Sequence, residues 1–132
     1  MQNLKLKKNI RLLITADGGA ASGKTTGAKL ISKKYKLKFL SSGLLYRYVS
    51  FKLLSKKDIR NKRSYLKSIT KNISSKALKN PKLFNPKVTM YTSIIAQSKN
   101  VRNLLKKYQR NFAQQRLACI EGRDIGTVIC PN

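Results

Sequence analysis

A glycine-rich segment near the start of the chain carries the clearest chemistry. Residues 18–25 read G-G-A-A-S-G-K-T and fit the pattern G-x-x-x-x-G-K-[ST]. In such a loop the small residues let successive backbone N–H groups turn inward around phosphate oxygens, and the N-terminus of the following helix favours the same anion. Lys24 supplies a cation to the β- and γ-phosphates, and a hydroxyl of Thr25 or Thr26 reaches Mg²⁺. The predicted nucleoside triphosphate site consists of Gly18, Gly19, Ala20, Ala21, Ser22, Gly23, Lys24, Thr25 and Thr26.

The few acidic residues lie beside glycines. The chain has 30 Lys and Arg residues, four Asp and Glu residues and no histidine, so that its net charge is +26. Asp17 precedes the first glycine-rich segment, Glu121 and Asp124 flank Gly122, and only Asp58 lies elsewhere. A chain so poor in acids that keeps most of them at two glycine-marked motifs is expected to use them, although the absence of histidine excludes an imidazole base or metal ligand.

The hydrophobic pattern predicts the elements that position these motifs. Short apolar runs predict strands at 11–16, 37–40 and 117–120, and helical spacing predicts helices at 23–35, 44–54, 88–97 and 101–112. Within the first helix Ala28, Ile31 and Tyr35 share an apolar face, and Ser41-Ser42-Gly43 offers cap residues for the second. Residues 55–85, with prolines at 81 and 86, indicate an irregular or helical surface insertion. Alternating strands and helices indicate an α/β fold with a parallel sheet.

Four blocks of sequence together resemble bacterial cytidylate kinases. They are Ile14–Thr26, Ser41–Arg47 with its S-G-x-x-Y-R pattern, Val101–Arg110 with V-R-x-x-L-x-x-x-Q-R, and Glu121–Val128, which reads E-G-R-D-I-G-T-V. Their order and approximate spacing agree with that family. The chain departs from the usual pattern at Gly19, Ala21, Thr25, Ser41 and Cys130.

The resemblance implies a P-loop NTPase-type three-layer fold with a parallel sheet and a small insertion that binds a nucleoside monophosphate. Residues 1–50 are then the first part of the P-loop core, 51–92 the insertion, and 93–132 the continuation of the core. Since the chain ends shortly after the third strand, we expect the lid and the C-terminal part of the fold to be missing. We therefore expect little or no CMP kinase turnover, because a transition-state arginine of a lid is worth about 10³–10⁵ in rate.

The resemblance also implies the acceptor and the roles of the site residues. ATP would phosphorylate CMP or dCMP with the help of Mg²⁺. Arg47 and Arg123 would grip the acceptor phosphate, for which the planar guanidinium suits better than lysine. Asp124 would accept a hydrogen bond from the cytosine amino group, while Ser93 and Arg102 would donate to the ring. The CMP site would consist of Ser42, Arg47, Ser93, Arg102, Arg123 and Asp124, and the catalytic residues would be Lys24, Arg47 and Arg123.

Simpler interpretations remain for several of these residues. The three arginines would otherwise be solvated surface charges, and Asp124 would be a helix cap or an ion-pair partner of Arg123. The basic excess fits either a nucleic-acid-binding module or the coding bias of an AT-rich genome. Glu121 and Asp124 disfavour nucleic acid, because they would repel a phosphate backbone. Another P-loop small-molecule kinase is the alternative enzyme.

The remaining expectations concern location and assembly. No apolar run approaches the ~18 residues of a membrane helix, and the two cysteines have no spacing typical of a zinc site. We expect a cytoplasmic monomer with reduced thiols, whose partners are the small nucleotides ATP, CMP and dCMP rather than a membrane or nucleic acid.

Overall fold

A computed structural model describes residues 11–18, 24–122 and Ile129 of the chain. The elements are β1 (Leu12–Asp17), α1 (Lys24–Tyr35), β2 (Lys38–Ser41), α2 (Ser42–Ser55), α3 (Lys62–Lys71), α4 (Ser75–Leu78), a 3-10 helix (Pro81–Phe84), α5 (Pro86–Ile95), α6 (Lys99–Ala113) and β3 (Leu117–Gly122). The predicted strands and helices are confirmed to within a few residues. The insertion is helical rather than irregular.

The described strands form one parallel sheet in the order β1-β3-β2. Strand β3 is therefore central and pairs with both neighbours, with Ile14 opposite Cys119 on one side and Phe39 opposite Cys119 on the other. The parallel α/β sheet agrees with the predicted P-loop NTPase-type fold class. In a parallel sheet all carboxyl ends lie along one edge, where α/β proteins bind ligands.

Helix α1 covers one face of this sheet. Buried Ala28, Leu37 and Cys119 form the centre of that core, and partly buried Leu12, Ile14, Ala16, Tyr35, Phe39 and Leu117 pack around them. Burial raises the pKa of the Cys119 thiol, and the nearby Glu121 carboxylate raises it further. The opposite face is also apolar, since Leu40, Ala118 and Ile120 are all buried. Burial of both faces is typical of parallel sheets in layered α/β folds.

The apolar face predicted for α1 is wrong at one position. Ile31 is 38% exposed, whereas Ser32 is 5% exposed. The buried stripe runs through Ala28, Ser32 and Tyr35, at spacings of four and three, which places Ile31 at its solvent side. The Ser32 hydroxyl donates to the Ala28 carbonyl at 2.7 Å, so that its burial leaves no donor unpaired.

The junction between β2 and α2 also differs from the prediction. Helix α2 begins at Ser42, directly after the last strand residue Ser41, with no intervening loop. Ser41 is therefore both the last strand residue and the residue directly before the helix. Its side chain lies on the face of the sheet that α1 covers, in register with Glu121.

The chain divides into two compact units. One contains residues up to Ser42 and from Gln109 onward, and the other is Gly43–Tyr108. The predicted division at 1–50, 51–92 and 93–132 remains a prediction.

Within Gly43–Tyr108, short helices begin at side-chain caps. Asn61, Ser74, Asn80 and Asn85 each accept a hydrogen bond from a backbone N–H of the following first turn. Pro81 and Pro86 occupy the first positions of helices, where a missing N–H costs nothing. None of the described helices is long and apolar enough to cross a membrane.

Hydrogen bonds between helices hold this second unit together. The Tyr65 hydroxyl donates to the Lys52 carbonyl at 3.1 Å, and the Tyr108 hydroxyl donates to the Ile73 carbonyl at 2.9 Å. The Thr92 hydroxyl lies 3.1 Å from that of Ser50. Each of these contacts joins segments that the sequence separates by at least one turn or loop, so Gly43–Tyr108 is a packed structure.

Helix α1 ends in a conformation that favours glycine, which provides a test of the fold. Lys36 has φ of 56°, and the Leu37 N–H donates to the Ser32 carbonyl at 2.8 Å, a bond typical of a Schellman motif. We expect Lys36→Gly to raise the free energy of unfolding by about 0.5–1 kcal/mol, because the left-handed conformation strains a residue with a Cβ.

Thermal denaturation followed by circular dichroism measures this effect. The control is Lys29→Gly, an exposed position inside the same helix, which should instead lose about 1 kcal/mol. A decrease in stability of both variants would contradict the assigned helix end.

Candidate functional site

The character of the α1-covered face changes at the carboxyl ends of the strands. Ile14, Cys119 and Phe39 lie in register across the three strands, and two residues later the same row reads Ala16, Glu121 and Ser41. Because side chains alternate between faces with a period of two, the second row continues the first. An apolar row is thus followed by a row of small and polar side chains. On the covered face, this row of small and polar side chains is where a polar ligand could bind.

A buried carboxylate lies at the centre of this row. Glu121 is 4% exposed, and the Ser41 hydroxyl donates a short hydrogen bond to its Oε1. A buried carboxylate is costly unless polar groups satisfy it. The serine hydroxyl at this register supplies such a group.

The first turn of α1 lies towards the same edge. Ala28 packs on Cys119, whose thiol lies 3.9 Å from the Ala28 carbonyl. A helix that follows a strand in such a unit returns antiparallel to it, so residues 24–27 extend beyond Cys119 in the direction of Glu121. Thr25 and Thr26 are exposed on this turn. The arrangement places an anion-attracting helix N-terminus beside the polar row.

Hydrogen bonds join the four sequence blocks within the first unit. The Gly18 N–H donates to the Gly122 carbonyl at 3.3 Å, which connects the first and last blocks. Gln109 Nε2 donates to the Ser42 hydroxyl at 2.7 Å, which connects the second and third. Beyond the last block, the Ile129 carbonyl accepts from Arg110 Nε at 2.8 Å. Motifs up to a hundred residues apart in sequence are therefore neighbours in space.

The two carboxylates at the edge point to different sides of the sheet. Asp17 is in register with Gly122, one position beyond Glu121, and its side chain is exposed. Among the described residues no group of three or more Asp, Glu, Cys or His side chains is placed to hold a metal ion. Mg²⁺ in kinase sites needs fewer, since one or two carboxylates and substrate phosphates suffice.

Arg47, predicted to grip the acceptor phosphate, is held within Gly43–Tyr108. Its Nη1 donates to the Leu83 carbonyl at 3.0 Å and to the Thr89 hydroxyl at 2.8 Å. Its guanidinium also lies over the Phe84 ring, 4.7 Å from the ring centroid. Arg47 is therefore not a freely solvated surface charge.

The predicted base-binding residues Ser93 and Arg102 lie in the same unit. Ser93 follows Thr89 by four residues on α5, so the two share one helix face, and Arg47 contacts that face at Thr89. The Ser93 hydroxyl donates to the Met90 carbonyl at 2.7 Å, so it must rotate before it donates to a base. Arg102 is exposed on α6, and its charge lowers the pKa of Tyr46, although burial raises that pKa more. The structure therefore brings Ser93 into the neighbourhood of Arg47, and Arg102 into that of the adjacent Tyr46.

Ser42 has a structural role that its assignment to the CMP site did not anticipate. It is 4% exposed and accepts its hydrogen bond from Gln109, which is itself 3% exposed.

The structure does not describe the remaining predicted site residues, which are Gly19–Gly23, the side chain of Lys24, Arg123 and Asp124.

Sequence reasoning missed Ser41, Gln109 and the full role of Glu121. The placement of Glu121 beside a glycine was a signal, since acids are so rare in this chain. The amide of Gln109 gave a weaker one, as a polar position on an otherwise apolar helix face. Nothing in the pattern showed that Ser41 pairs with Glu121, because that pairing depends on strand register.

The two serines of the predicted CMP site provide a stability test. We expect Ser42→Ala to lower the free energy of unfolding by about 1–3 kcal/mol, because it leaves the buried Gln109 amide without its acceptor. Ser93→Ala should change it by less than about 0.5 kcal/mol, since Ser93 is exposed and bonds only within its own helix. Urea denaturation of both variants measures the difference, and equal stabilities would show that the Ser42–Gln109 bond contributes nothing.

Comparison with known proteins places this geometry in a family. The sequence profile of the cytidylate kinase family matches residues 14–132. The chain is 35% identical over 122 residues to a cytidylate kinase of Bradyrhizobium sp. (strain ORS 278), covering 92% of this chain and 58% of that protein. It is 38% identical over 128 residues to a cytidylate kinase of Thermosipho melanesiensis, covering 90% and 58% respectively.

A third relative joins this family to a second activity. The chain is 35% identical over 137 residues to a bifunctional pantoate ligase/cytidylate kinase of Prochlorococcus marinus, of which it covers 27%. The chain thus spans a little under three fifths of the length of the single-function relatives it matches. The profile match over residues 14–132 shows that the chain belongs to the cytidylate kinase family.

Proposed function

We propose that this chain provides the donor-phosphate site and much of the acceptor site of a kinase that converts ATP and CMP or dCMP into ADP and CDP or dCDP. One observation carries the proposal. The two glycine-marked blocks meet through the Gly18–Gly122 hydrogen bond, at the edge where the first turn of α1 and the polar row lie. A helix N-terminus and a polar strand edge at one place suit a phosphate chain.

The donor nucleotide would bind along residues 18–26. Backbone N–H groups of the loop would surround the phosphate oxygens, and Lys24 would bind the β- and γ-phosphates. Mg²⁺, when bound, would neutralise charge on those phosphates, held by Thr25 or Thr26 and by Glu121. The Ser41 hydroxyl would keep the Glu121 carboxylate oriented towards the edge.

The acceptor would bind with its phosphate at Arg47 and Arg123 and its base near Ser93, Arg102 and Asp124. Support comes from α5, where Thr89, which contacts Arg47, and Ser93 stand one turn apart, a rise of about 6 Å. That separation suits the phosphate and base of one nucleoside monophosphate. The segment 51–92, which contains Thr89, would be the monophosphate-binding insertion, and Ser93 follows it directly.

The chemistry requires neutralisation of charge rather than a strong base. An oxygen of the CMP phosphate attacks the γ-phosphorus of ATP, the bond from that phosphorus to the β–γ bridging oxygen breaks, and ADP leaves with the electron pair. Charge develops on the equatorial and leaving oxygens, where Lys24, Arg47 and Arg123 would stabilise it. We propose further that the protein acts as a cytoplasmic monomer and that its basic surface serves no nucleic-acid partner.

Binding of ATP tests the donor site. We expect Lys24→Ala to weaken ATP affinity about tenfold or more in calorimetry, because a hydrogen bond to a charged group is worth about 1.5–3 kcal/mol. Lys29→Ala is the matched control, since Lys29 is an exposed lysine of the same helix, and it should bind ATP like the unmodified chain. Equal affinity of all three proteins would overturn the donor assignment.

Base selectivity tests the acceptor site. Uracil presents an oxygen acceptor where cytosine presents an amino donor, so the Asp124 carboxylate would face a lone pair in UMP. We expect the unmodified chain to prefer CMP to UMP and Asp124→Ala to narrow that preference, with Asp58→Ala as the control for a lost negative charge. Equal binding of CMP and UMP by the unmodified chain would contradict the assignment.

A further inference from the structure

The guanidinium of Arg47 is fixed on one side only. Its Nη1 carries two hydrogens, and these are donated to the Leu83 carbonyl at 3.0 Å and to the Thr89 hydroxyl at 2.8 Å. The Phe84 ring, with its centroid 4.7 Å from Cζ, supports one face of the plane. Two hydrogen bonds and a stacked ring define both the position and the tilt of the group.

The opposite edge of the guanidinium, formed by Nε and Nη2, has no hydrogen-bond acceptor among the described residues. Within residues 11–18 and 24–122, nothing accepts from the Nε–H or Nη2–H of Arg47. These two hydrogens form the fork that binds two oxygens of a phosphate or carboxylate at once. The contacts made by Nη1 therefore leave the bidentate edge available.

Both anchors belong to rigid parts of the unit. Leu83 is fully buried, so its backbone is held by its own side chain. Thr89 lies in the first turn of α5, where its N–H donates to the Asn85 carbonyl at 2.9 Å. The Asn85 side chain caps that turn by accepting from the Lys87 N–H at 2.8 Å. A helix start and a buried leucine thus define where the guanidinium lies.

We propose that Thr89 is a positioning residue that, with the Leu83 carbonyl, orients Arg47 so that its Nε–Nη2 edge meets the phosphate of the nucleoside monophosphate. The inference rests on the proposed function, because it takes the acceptor phosphate as the ligand of Arg47. Thr89 itself does not touch the nucleotide. It acts by restricting the guanidinium before the ligand arrives, which removes part of the entropic cost of binding.

A purely structural role for the Thr89 hydroxyl gives a different expectation. If the hydroxyl only tied α5 to α2, its loss would affect binding of every ligand of this unit through loss of packing. A positioning role affects only the part of the affinity that depends on the phosphate. Comparison of CMP with cytidine, which lacks the phosphate, separates the two.

The experiment compares Thr89→Val with Thr89→Ser in the full chain by calorimetry or NMR titration. Valine keeps the shape and removes the acceptor, and we expect CMP affinity to fall about three- to tenfold, the range for loss of one orienting hydrogen bond. Cytidine affinity should stay unchanged, and serine should restore CMP affinity. The Arg47 Nε–H signal should also show faster motion in Thr89→Val than in Thr89→Ser.

Thr92→Val is the matched control. Thr92 is one turn away on α5 and bonds to Ser50 and the Val88 carbonyl but not to Arg47. It should leave CMP affinity unchanged. An equal loss in Thr92→Val and Thr89→Val would assign the effect to helix packing and overturn the inference.

Arg47→Lys separates the inference from the function on which it rests. Lysine keeps the charge but lacks the fork. If Arg47→Lys weakens CMP binding while Thr89→Val does not, the positioning role is wrong and the acceptor site stands. If Arg47→Lys binds CMP like the unmodified chain, or the unmodified chain does not bind CMP, the acceptor assignment itself fails and the inference with it.

Discussion

The hydrogen bond between Ser41 and Glu121 stands where the covered face of the sheet changes from apolar to polar. Glu121 is buried in the centre of the sheet edge, and a carboxylate in that position is tolerated only where polar groups surround it. Its position on this face depends on strand register. A shift of one residue in β3 would move Glu121 to the other face, among apolar side chains such as Leu40, and would place Ile120 at the proposed phosphate site.

The register is in turn fixed by the apolar rows beneath this edge. Cys119 packs under Ala28, and Ile14 and Phe39 flank it in the same row. These contacts stabilise the sheet by burial of apolar area, which carries no chemistry of its own. They nevertheless determine which side chains reach the carboxyl edge, so the polarity of that edge depends on the packing of α1 against the sheet.

Much of the first unit could be predicted from the sequence, because its signals are local. The strand before Gly18 and the helix after Lys24 follow from apolar patterning and glycine placement. The predicted burial of Ile31 was wrong because residues three and four positions after Ala28 both fit the inner face of a helix. Packing against the sheet determines which of the two is buried. Ser41 stands directly before the helix, as a cap residue does, but the contact of its hydroxyl with Glu121 depends on strand register and could not be predicted.

The insertion was harder to predict for a different reason. Its helices are short, and side-chain caps such as Asn61 and Asn85 mark where they begin. The role of Arg47 was predicted from resemblance, but its anchors are 36 and 42 residues further along the chain, and one of them is a backbone carbonyl. Every residue has a backbone carbonyl, so the sequence does not indicate which one Arg47 contacts, and the folded structure is needed to identify it.

The central position of β3 has a consequence for how the chain reaches its fold. Leu12 pairs with Leu117, and Lys38 pairs with Ala118, while the described part of β1 makes no ladder with β2. Neither of these two strands therefore has its described partner until β3 has left the ribosome. Helices α1 to α6 can begin to form during synthesis, since the backbone hydrogen bonds of a helix are local. The sheet must wait for a loop of about a hundred residues to close, and such closure is slow. During that interval two short β-edges lack their partner strand, and a net charge of +26 on each copy of the chain opposes their pairing with another copy.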